Sequence, residues 1–108
     1  MIGYLTDGIL PIYYENGQKE REVSFKNSKP DGKFTYWYES GQLFYESNIE
    51  NGKLDGKVTF WNENGQMLSE GNWNDGKLHG KQTTWYESGQ MELEINFKDD
   101  KQDGKASS

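Results

Sequence analysis

A 24-residue pattern that recurs along the chain restricts its fold more than any single motif does. It is clearest from Asp55 to Leu78, DGKVTFWNENGQMLSEGNWNDGKL, with copies at 31–54 and 79–102 and a degenerate copy at 7–30. A fixed period of this length marks a repeat architecture, in which each unit packs mainly on its neighbours. The chain divides accordingly into a lead-in at 1–6, four units over 7–102, and 103–108 as the start of a fifth unit or a tail.

Within each unit a four-residue motif separates two apolar-rich runs: Glu15-Asn16-Gly17-Gln18, Glu39-Ser40-Gly41-Gln42, Glu63-Asn64-Gly65-Gln66 and Glu87-Ser88-Gly89-Gln90. Asn-Gly supplies the positive φ angles of a two-residue type I′ turn, so each unit reads as a β-hairpin. A longer turn, Asn51 to Lys57 in the second unit, joins one hairpin to the next. Eleven of the 13 glycines fall on these turn positions, which makes them punctuation rather than scattered flexibility. The expected fold is all-β: tandem hairpins in an extended, twisted, single-layer antiparallel meander of about eight strands. Pro11 replaces the threonine of the later units, and a proline cannot donate to a ladder, so the first strand is expected at the sheet's edge.

Period two along the strands then assigns two faces. One carries Phe34, Tyr36, Tyr38, Leu43, Tyr45, Ile49, Val58, Phe60, Met67 and Trp73, and is apolar. The other carries Thr35, Trp37, Glu39, Phe44, Glu46, Thr59, Trp61, Glu63, Leu68 and Glu70, a polar face with a tryptophan stripe. Trp37 is expected opposite Phe44 and Trp61 opposite Leu68. A three-residue turn would reverse the relative facing of the two strands.

Low aliphatic content and a net charge of −6 lean toward disorder. Against this, the seven Tyr, five Phe and four Trp are large residues, and most of them recur at fixed repeat positions, so an aromatic sheet replaces a thick core. Without cysteine there is no disulfide framework or thiolate metal site. The acidic balance disfavours nucleic acid and anionic membrane. No apolar run is long enough to span a bilayer, and residues 1–7 lack the features of a signal peptide, so membrane insertion is not expected and a cytoplasmic location is.

The pattern G-K-x-T-x-W-x-E-x-G-Q, followed by a second strand and N/D-G-K-x-D/H-G-K, resembles the MORN-variant repeat common in bacterial proteins. The resemblance covers nearly the whole chain, though the first unit departs from it at Ile9, Pro11, Tyr13 and Ser28. It implies β-hairpins in an extended sheet and binding rather than catalysis. Some members of that family are described as antitoxin components, which implies a toxin as one kind of partner.

No residue cluster spells out a reaction, so no catalytic, cofactor or metal residues are expected. The single histidine, His79, occupies a position that is aspartate in the other units and reads as a loop variant. The candidate partner-binding residues are Trp37, Trp61 and Trp85, with Glu39, Glu63 and Glu87 at the short turns. Aromatics flanked by acids suit a protein hot spot or stacking on sugar rings. The expected function is a non-enzymatic scaffold that binds another protein through its periodic sheet surface, with a cell-wall or glycan-binding module as the alternative. Lys53, Lys57, Lys77 and Lys81 place positive charge on the long-turn rim, opposite the acidic short turns.

Overall fold

In a computed structural model, which describes residues 7–104 and residue 107, the chain forms one open antiparallel sheet of eleven strands. The expected lead-in at 1–6, and residues 105, 106 and 108 of the expected tail, lie outside the described residues. Eight strands are long: β1 (Gly8–Tyr13), β2 (Lys19–Lys26), β3 (Lys29–Trp37), β4 (Leu43–Glu50), β6 (Gly56–Trp61), β7 (Met67–Asn74), β9 (Gly80–Trp85) and β10 (Met91–Lys98). Three have two residues each, β5 (Lys53–Leu54), β8 (Lys77–Leu78) and β11 (Lys101–Gln102), and they fold back on β4, β7 and β10. The order is otherwise sequential, β1 to β10, as a meander requires.

The sheet measures 56 × 32 × 11 Å, one layer thick, and its radius of gyration is 16.1 Å. A compact globule of this length would have about 13 Å. With nothing stacked on either face, Val58 is the one buried apolar residue among those described.

β1 is an edge strand, as Pro11 requires. At the other end, Glu94 and Ser107 exchange both backbone N–H···O bonds, and Ser107 stands at Pro11's place in the repeat. The N–H that Pro11 lacks is therefore the one that would have faced a further strand.

The short turn differs from the expected one. Only its glycine has positive φ (Gly17 +89°, Gly41 +93°, Gly65 +85°, Gly89 +94°), so type I′ geometry is absent there. Gly41 donates its N–H to the Tyr38 carbonyl and Tyr38 donates to the Gln42 carbonyl, which closes a three-residue loop of type I with a left-handed glycine. The residue before the glycine serves by accepting a hydrogen bond rather than by adopting positive φ. Asn16 Oδ1 accepts from the Gln18 N–H, and Ser40 Oγ from that of Gln42. Type I′ turns occur instead at the other end of each hairpin, where Asn51-Gly52 and Asp75-Gly76 have positive φ at both residues.

The extra turn residue would reverse the facing, but a bulge at Glu20, Phe44, Leu68 and Glu92 restores it. Beyond the bulge, Tyr36 faces Tyr45 and Phe60 faces Ser69, the register expected from a two-residue turn. Next to the turn the expectation fails. Trp37 stands opposite Leu43, not Phe44, and Trp61 opposite Met67, not Leu68. Phe44 crosses to the apolar side, its ring 4.8 Å from Tyr38 and 6.0 Å from Phe60.

Candidate binding surfaces

Directly paired residues share a face, so the register lists each row. On the polar face Glu22, Thr35, Glu46, Thr59, Glu70, Thr83 and Glu94 succeed one another across the strands. Thr35, Thr59 and Thr83 are buried although one sheet face is open, because each short side chain lies between longer cross-strand neighbours. Each glutamate takes a lysine: Lys19–Glu22 at 2.7 Å, Lys33–Glu46 at 3.7 Å, Lys57–Glu70 at 3.7 Å and Lys81–Glu94 at 3.8 Å. Trp37, Trp61 and Trp85 form a parallel row, two strands or about 10 Å apart, and all are half-buried. The Lys19 ammonium lies 5.7 Å from the centroid of the Trp37 ring.

Glu39, Glu63 and Glu87 are exposed at the tips of the short turns. The period-two argument that gave Glu63 the face of Trp61 does not reach it, since β6 ends at Trp61 and the turn begins at Asn62. Tyr14 donates its hydroxyl to the Trp37 carbonyl, and Tyr38 to that of Trp61, both at 2.7 Å. Partial desolvation raises both tyrosines above their usual range, helped for Tyr14 by Glu20 and Glu39 and for Tyr38 by Glu63. The short-turn acids thus stand beside the tyrosine hydroxyls rather than alternating with the indoles.

The lysines are not segregated to the long-turn rim either, because Lys57 and Lys81 turn onto the polar face toward Glu70 and Glu94. The long-turn rim instead gathers Asp31, Glu50, Asp55 and Asp75. The Glu50 carboxyl is raised above its ordinary value, first by a side-chain hydrogen bond with Asp55 and the charge of Asp55, then by partial desolvation and by Asp31 and Asp75. Among the described residues no group of three or more His, Asp or Glu converges as metal ligands. His79 is exposed in its loop.

The apolar face holds a feature missed in the sequence. Tyr36, Tyr45 and Phe60 pack ring to ring, at 5.4 and 4.7 Å. Beside them runs an open groove of about 300 Å³, almost wholly apolar, with Tyr45 and Phe60 on one wall, Leu54, Trp73 and Leu78 on the other, and Val58 and Gly71 at its floor. It adjoins a wider hollow of about 830 Å³ that includes Phe34, Ile49, Asp31 and Glu50. The available signal was the run of smaller residues Ser47, Val58 and Gly71 in the middle of an otherwise aromatic face.

The sequence model of the MORN repeat variant matches residues 6–27, 30–51, 54–75 and 78–99. No curated protein matches the chain. Among solved structures, the crystal structure of accessory secretory protein 1, 2 and 3 in Streptococcus pneumoniae contains a similar chain, at 17% identity and a TM-score of 0.46. The match covers 89% of this chain and 20% of that one, so the present chain spans about a fifth of its length. The antitoxin role implied by the resemblance gains no support from these comparisons. Among the described residues no helix is long and apolar enough to cross a membrane.

Proposed function

The chain belongs to the MORN repeat variant family, and on that premise we propose that it is a non-enzymatic scaffold whose apolar sheet face docks another protein. The observation that carries this reading is an aromatic face left uncovered in a layer 11 Å thick. A sheet ordinarily hides one face against a second layer, and a contiguous exposed apolar patch marks an interaction surface. The polar face is a weaker candidate, because its glutamates are already paired with lysines and the Trp37 ring already has a cation near it. The same cation weakens the glycan alternative, which needs open indole rings.

Two tryptophans on opposite faces allow a matched test. Trp73→Ser and Trp61→Ser are each checked for fold by circular dichroism and compared in affinity capture and cross-linking in the cells that make the protein. Loss of the captured partner is expected for Trp73→Ser and retention for Trp61→Ser. The reverse pattern would move the docking face to the tryptophan row.

A further inference from the structure

The groove on the apolar face is bordered by acids along both rims. On the long-turn side Glu50, Asp55 and Asp75 stand outside the wall formed by Leu54, Trp73 and Leu78, with Asp31 nearby in the adjoining hollow. On the short-turn side Glu39 and Glu63 stand near the hydroxyls of Tyr14 and Tyr38. The strand lysines that could neutralise them, Lys33, Lys57 and Lys81, are committed to Glu46, Glu70 and Glu94 on the opposite face. Lys53 reaches Asp75 at 3.8 Å and leaves the other long-turn acids of the rim crowded. The two faces therefore differ in charge as well as in polarity: one is internally paired, the other apolar with unbalanced acidic borders.

We propose that the groove takes a basic amphipathic segment of a partner protein, its apolar side against Phe60 and Trp73 and its lysines or arginines reaching the Glu50–Asp55 rim. This rests on the docking reading above and adds the partner's chemistry. Charge complementarity selects the occupant: the rims favour cations, and the groove supplies the apolar area. Because the carboxylates do not converge as metal ligands among the described residues, the cation they suit is carried on a side chain. The crowding that raises Glu50 would be relieved by such a cation.

Three synthetic peptides of one length test this: an amphipathic Leu/Lys peptide, its Leu/Glu counterpart, and a Leu/Lys peptide scrambled to abolish the apolar stripe. Binding is followed by calorimetry at two salt concentrations, with vesicles of anionic lipid as a further arm. The basic amphipathic peptide is expected to bind and the other two peptides and the vesicles are not. The double variant Glu50→Gln, Asp55→Asn is expected to bind it about three- to tenfold more weakly at low salt, with a flatter salt dependence. Trp73→Ser should lose binding, and Ser69→Gln, which puts a neutral polar side chain into the groove without removing a ring, should weaken it if Trp73→Ser does not fold.

Equal binding of acidic and basic amphipathic peptides would overturn the charge assignment while leaving the docking face intact. Equal binding of the scrambled peptide, no loss in either groove variant, no peptide binding at all, or preference for the vesicles would also overturn the proposal. The docking reading stands or falls separately on the Trp73→Ser and Trp61→Ser captures.

Discussion

The joint between the second and third units and the joint between the third and fourth share one backbone ladder but are closed by different side chains. At the first, Tyr45 pairs with Phe60 at 4.7 Å between ring centroids, Phe44 adds a further ring contact, and the Tyr38 hydroxyl clamps the Trp61 carbonyl. At the second, the corresponding pair is Ser69 and Thr84. Asn62 takes the place of Tyr38 and turns inward, its Oδ1 accepting the N–H groups of Asn64 and Gln66 in its own loop, so it cannot clamp the next unit. The Gln82 amide lies over Gly71 and donates to the Asn72 carbonyl. The Asp100 carboxylate accepts the Leu78 N–H across the long turns, while Asp100 donates its own N–H to the Leu78 carbonyl. A single-layer sheet can thus be continued by aromatic packing or by amides and carboxylates. Only the first removes much apolar surface from water, so the second joint should be the weaker.

The largest expected effect breaks the aromatic joint. Phe60→Ala should destabilise by about 2 to 3 kcal/mol, less than for a fully buried phenylalanine because the ring is half exposed, whereas Thr84→Ala at the same place in the next unit should stay within about 0.5 kcal/mol. Urea unfolding midpoints of the two variants measure the difference. A smaller effect isolates the clamp. Tyr38→Phe removes a 2.7 Å hydrogen bond and should cost about 1 kcal/mol. Tyr86→Phe should leave the midpoint unchanged, since Tyr86 is 52% exposed and its hydroxyl has no acceptor among the described residues.

The smallest effect sharpens the polar joint. A methyl at Gly71 would fall 1.6 Å from Gln82 Oε1 and push that flexible amide off the Asn72 carbonyl. The lost bond, about 1 kcal/mol, is nearly offset by the lower chain entropy of alanine in the unfolded state, so Gly71→Ala alone should shift stability by a few tenths of a kcal/mol. In a Gln82→Ala background the same change should stabilise by about 0.4 to 1 kcal/mol, and a thermal double-mutant cycle measures the coupling.

Much of this architecture was legible because period and glycine placement encode backbone geometry directly. All eleven glycines assigned to turns have positive φ, while Gly71, outside the pattern, does not. The number of long strands and the edge position of β1 follow from the same reading. The turn types were not legible, since Asn and Ser before a glycine suit a side-chain acceptor as well as a left-handed residue. Asn51 and Asp75 adopt positive φ, whereas Asn16 and Ser40 accept hydrogen bonds. The face assignment survived that error only because the bulges at Phe44 and Leu68 compensate the longer turn, and it failed for the residues between turn and bulge. Of the candidate site, the row of tryptophans was readable from spacing. The relation of Glu39, Glu63 and Glu87 to that row was not, because alternation stops where the strand stops. The groove was hidden because it is made by residues from neighbouring units, and no single repeat contains it.

Native-state hydrogen exchange tests most directly whether aromatic joints hold this one-layer sheet together. Amides hydrogen-bonded in the ladder of β4 and β6 should be the most protected and should open only with global unfolding, while those of β9 and β10 should exchange through a lower-energy opening that detaches the fourth unit. If the amides of β9 and β10 proved as protected as those of β4 and β6, the backbone ladder rather than the aromatic joint would be setting the stability of the sheet.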